Sequence, residues 1–64
     1  MMTKAEVLAR MARDERDMMN RLAWFAGEPA ALSIVDVFGQ VYDRARTEAA
    51  LAAIRACMAE VREG

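Results

Sequence analysis

The chain has 64 residues, a formal net charge of −1, one cysteine and no histidine. A chain this short holds one domain with a marginal core. Cys57 cannot pair within the chain, a single thiol with no histidine removes the usual zinc sets and a Cys-His nucleophile pair, and oligomerisation is left as the way to add burial.

Hydrophobic residues make up 56% of the chain but aromatic residues only 6%, a balance that suits helix packing better than sheets. A charge so close to neutral gives no global field to concentrate nucleic acid or anionic lipid, so any such binding has to be local. No run approaches the ~20 apolar residues of a membrane span. The start MMTKAEVLAR lacks the apolar core of a signal peptide, so a cytoplasmic location is expected. Lys4 is the single lysine against many arginines, and alanine is abundant, a bias that points to a GC-rich bacterial or phage coding sequence.

In chain order, Thr3 and Glu6 form a T-x-x-E capping box that starts the first helix. Leu8, Met11, Met18, Leu22 and Phe25 follow at helical spacing, widened by Val7, Met19 and Ala26. Gly27 is placed to take a left-handed terminal conformation and Pro29 discourages continuation, which predicts a helix of ~35 Å.

The short connection Gly27-Glu28-Pro29 predicts a second helix turning back on the first, opened by Pro29 or by Ser33. Ile34, Val35, Phe38, Val41, Tyr42 and Ala45 then mark an apolar face at helical spacing. The same stretch is rich in β-branched residues around Gly39-Gln40, so a β-hairpin of Ile34 to Phe38 with Val41 to Arg44 is the competing reading. Leu51, Ile54, Met58 and Val61 project from nearly the opposite side to Phe38 and Val41. Either the chain breaks at Thr47, as the cap of a third helix, or one long helix turns different faces to helix 1 and to a partner chain. The sequence therefore predicts an all-α helical hairpin of two long helices, or three with a break near Thr47, dimerising into a bundle.

Glu15 falls inside the first apolar stripe, where a lone carboxylate is costly unless paired. It is read as a site acid or as fixing register across a dimer, or, more plainly, as partnered by Arg16 or an arginine of helix 2. With Phe38, Leu51, Ile54 and Met58 it forms the expected core or dimer set. The charged run Arg13 to Asp17 resolves on a helix into spaced partners such as Arg10 with Asp14 and Asp17 with Arg21. Trp24 stands opposite the stripe, in line with Arg13, Asp17 and Asn20 and beside Arg21. Tryptophan with arginine is the composition of binding hot spots, and the same pair could stack a base and hold its phosphate. Trp24, Arg13, Arg21, Asp17 and Tyr42 are the expected partner-binding residues, with local packing of Trp24 as the plain alternative. Cys57 is expected as a buried structural thiol.

The length and two-helix layout look like those of the Rop-type dimeric hairpins, which bind RNA loops, and Met11-Ala12-Arg13 followed by Arg16 is similar to a stretch of theirs. Asp14 stands where that resemblance implies an aromatic on the RNA-binding face, so no function is carried over. No phosphate-cradling loop, metal-ligand spacing or Ser-His-Asp set is present, and neither a cofactor nor catalysis is expected. The expectation is a homodimeric regulator or inhibitor that binds a partner protein, with a nucleic-acid or nucleotide binder as the alternative.

Overall fold

The structure, a computed structural model, describes residues 1–64. Helix α1 spans Lys4–Gly27, strands β1 and β2 are Ile34–Val35 and Val41–Tyr42, and helix α2 spans Arg44–Glu63. No helix is long and apolar enough to cross a membrane.

The start of α1 follows from its capping box. Thr3 Oγ1 accepts from the Glu6 N–H at 3.1 Å, and Glu6 Oε1 accepts from the Thr3 N–H at 3.3 Å, so two otherwise orphaned donors are satisfied. At its other end α1 stops at Gly27, but Gly27 is not left-handed; the C-cap is Glu28 at φ −130°, and its N–H donates to the Phe25 carbonyl at 3.2 Å.

The two helices pack antiparallel. Leu8, Met11, Glu15, Met18, Leu22 and Phe25 form a partly to fully buried stripe on α1, and Thr47, Leu51, Ile54, Met58 and Val61 form its counterpart on α2. Their alternating three- and four-residue steps give each helix a narrow seam of the coiled-coil kind. Phe25, Leu51 and Met58 are the buried hydrophobic core, and the only other buried residue is Thr47. Its hydroxyl would be orphaned there, and instead donates to the Asp43 carbonyl at 2.7 Å, the local back-bond that threonine makes inside a helix.

Between the helices the all-helical expectation fails. Pro29 and Ser33 open no helix, and residues 34–42 form an antiparallel hairpin with Ile34 opposite Tyr42 and Val35 opposite Val41. The turn explains the preference. Asp36 Oδ1 accepts from the N–H groups of Phe38 and Gln40, each at 2.9 Å, and the Gly39 N–H closes onto the Asp36 carbonyl at 3.1 Å. Gly39 takes φ +79°, so Asp36-Val37-Phe38-Gly39 is a type I turn followed by a left-handed glycine, a regular hairpin connection. With the helix interrupted here, the Rop-like layout does not extend to this chain's connection.

Helix α2 consequently starts at Arg44, capped by Asp43, whose Oδ1 accepts from the Arg46 N–H at 2.7 Å. It runs through Thr47 without a break, so no third helix forms. Its Leu51 face, not its alanine face, meets α1; Ala45, Ala49, Ala52, Ala53 and Ala56 are exposed.

Candidate functional site

Trp24 lies on the last full turn of α1, where the chain is about to leave for the hairpin. Phe25 points into the core and is 0% exposed. Its neighbour is thereby directed outward, because adjacent helical positions diverge by about 100°. Trp24 remains 46% exposed, and its ring meets Phe25 edge to face, with centroids 5.4 Å apart and planes at 72°.

The hairpin then returns beside it. Asn20, Arg21 and Trp24 from α1, with Ser33 and Ile34 from the approach to β1, line an open groove of about 490 Å³. Ile34 and Tyr42 are opposite each other and share one hairpin face, which is only partly exposed, while Val35 and Val41 share the other, as strand alternation requires.

Tyr42 is held by cations. The Arg21 guanidinium lies 4.4 Å from its ring centre and that of Arg46 lies 5.1 Å away, and Arg46 also donates to the Val41 carbonyl at 3.0 Å. Arg21 is further fixed by a 3.6 Å contact to the Met18 sulfur. These contacts tie the hairpin to both helices and hold Arg21 in the lining of the groove.

The predicted binding residues are only partly brought together. Trp24, Arg21 and Tyr42 are neighbours through the groove and the cation–π contact. Arg13 lies about three turns earlier on α1, in a separate polar concavity with Arg10 and Asp14. Asp17 is exposed and makes no ion pair. None of the expected pairs along α1 closes to ion-pair distance. The single ion pair joins the helices, with Arg55 Nε donating to Glu15 Oε2 at 3.0 Å, so the carboxylate inside the stripe finds its arginine on the second helix.

Leu51, Ile54 and Met58 lie in the seam between α1 and α2, whereas Phe38 is 86% exposed at the hairpin tip. Cys57 is exposed rather than buried, because it follows the seam residue Ile54 by three positions and precedes Met58, on the flank of the seam. Ser33, Ile34 and Arg46 were missed as site residues by sequence reasoning. The signal that would have found the first two is the D-x-x-G turn at Asp36 to Gly39, which makes Ile34 a strand residue returning toward α1.

No group of potential metal ligands converges. No protein-family profile, curated protein or solved structure matches this chain.

Proposed function

We propose that the chain is a non-enzymatic protein-interaction module, a small regulator or inhibitor that seats an apolar side chain of a partner protein in the Trp24 groove. The observation that carries this reading is the half-exposed indole of Trp24 lining an open groove together with Asn20, Arg21, Ser33 and Ile34. Tryptophan and arginine dominate the residues whose removal costs an interface most. Both are held before any partner arrives, the indole by Phe25 and the guanidinium by Tyr42 and Met18, which lowers the ordering cost of binding.

A nucleic-acid interface has less support. It requires free cations beside the stacking ring, yet Arg21 and Arg46 are both engaged on Tyr42, and Arg13 lies in the other concavity.

The two readings separate by affinity capture of the tagged chain from bacterial lysate, divided into nuclease-treated and untreated halves. A stoichiometric protein that survives nuclease supports the module reading. Recovery of nucleic acid, with any protein lost after nuclease, supports the other, and phosphate contacts would also make that capture fall steeply with salt.

A further inference from the structure

We propose that the outer face of the hairpin docks a second copy of this chain, forming a two-fold dimer through Val35, Val41 and the tip residues Val37 and Phe38. The inference rests on the module reading in one respect, that it leaves the Trp24 groove on the opposite hairpin face open to a different partner.

Four of the nine exposed large apolar side chains lie on this hairpin. Val35 and Val41 are direct cross-strand partners, 61% and 49% exposed, and Val37 and Phe38 at the tip are 93% and 86% exposed. Strand alternation places the Val35–Val41 pair on the face that looks away from Ile34 and Tyr42. Exposed apolar side chains gathered on one short hairpin mark an interaction site.

Three observations select a second copy as the occupant. The first is area. The chain exposes 4830 Å², against about 4100 Å² for a compact monomer of its 7.1 kDa mass. The excess of about 700 Å² belongs to the whole elongated chain, 41 × 21 × 15 Å in extent, and packing a second copy on the hairpin face would return part of it to burial. The radius of gyration, 13.4 Å, likewise exceeds the ~11 Å of a compact chain of this length.

The second is charge. From Pro29 to Tyr42 the only charged residue is Asp36, and its Oδ1 is committed to the turn. A neutral apolar face meets its own copy across a two-fold axis without like-charge repulsion, and presents little for a charged partner to pair with.

The third is sheet stability. Two strands of two residues each are below what sustains a sheet in water without a packed face. Only one face here has cover from its own chain, and a second hairpin supplies the other.

The test is the mass of the full chain by sedimentation equilibrium across micromolar concentrations, with Phe38→Lys and Val35→Lys alongside. The proposal expects twice 7.1 kDa for the wild type, and association weakened roughly tenfold or more in both variants. A wild-type chain that stays at its single mass overturns it, as do folded variants that associate unchanged.

Should the variants lose their helical circular dichroism, spin labels on the intact fold decide. One label sits at Val37→Cys in a Cys57→Ser background, and the other at the native Cys57, ~20 Å along α2 from the hairpin. Intermolecular broadening at position 37 and not at 57 supports the hairpin dimer, and broadening at 57 alone overturns it. Undiminished capture of the partner by groove variants that still dimerise would remove the module reading and leave this one standing.

Discussion

Arg44, the first residue of α2, donates from Nη2 to the carbonyl of Phe25 at 3.0 Å, near the end of α1. The last turn of α1 contains no basic residue of its own, so the other helix supplies the cation that its C-terminal carbonyls and dipole favour. Lys4 returns the arrangement at the far end, donating from Nζ to the Arg62 carbonyl at 3.0 Å. Each helix thus caps the other's C-terminus with its own first residue. Replacing Arg44 by Ala is expected to lower stability by about 1 kcal/mol, and Lys4 by Ala by less, since the Lys4 contact is exposed whereas that of Arg44 is part-buried. Urea denaturation reads both.

The turn provides a second prediction. Asp36→Ala removes the acceptor for two backbone N–H groups and should cost about 1 kcal/mol. Asp36→Asn keeps an acceptor at the same place and should cost little. Gly39→Ala places a side chain at φ +79°, with a cost of about 1 kcal/mol that is conformational, since there is open space for the methyl. Faster amide hydrogen exchange at Phe38 and Gln40 would follow the first and third substitutions and not the second.

Tyr42 acts through its ring, not its hydroxyl, which makes no hydrogen bond to the rest of the chain. Tyr42→Phe is therefore expected to be near neutral. Tyr42→Ala removes the surface on which Arg21 and Arg46 lie and should destabilise by about 2 kcal/mol from lost burial and cation–π attraction. The difference between the two substitutions in thermal unfolding is the measurement.

Glu15 provides a prediction of the opposite sign. Its ion pair with Arg55 is solvent-accessible, with side chains 27% and 53% exposed, and such pairs contribute about 0.5 kcal/mol. Because Glu15 occupies a seam position between Met11 and Met18, Glu15→Leu is expected to raise stability by about 1 kcal/mol through added apolar burial. A loss of stability in that variant would mean that the carboxylate does more than join the helices.

How far the sequence could be read differs along the chain for physical reasons. Helix α1 was legible because Thr3 and Glu6 announce its start and the stripe repeats for about five turns. The Leu51 to Val61 half of α2 was legible for the same periodicity. The hairpin, which the structure shows, stood only as the competing reading because Ile34, Val35, Phe38, Val41 and Tyr42 satisfy helical spacing as well as they fill a short strand pair, and periodicity alone does not separate the two over so few residues. What decides is local: Asp36 and Gly39 suit a type I turn with a left-handed glycine, and Gly39 would weaken a helix interior. Once the hairpin is in place, the apparent second apolar side of α2 disappears, since Phe38 and Val41 belong to the hairpin. Trp24 was legible as an outward-facing residue. Its groove was not, because Ser33 and Ile34 reach it only through that turn.

The most direct measurement of the central claim, that a partner protein is held at the Trp24 groove, is the yield of captured protein for the wild type against Trp24→Ala, Ser33→Gln and Arg13→Ala, each shown by circular dichroism to be folded. Ser33→Gln fills the groove without removing any packing, and Arg13→Ala alters only the separate concavity. The account predicts that the first two variants lose the nuclease-resistant partner by roughly tenfold or more while Arg13→Ala retains it. Undiminished capture by both Trp24→Ala and Ser33→Gln would contradict it.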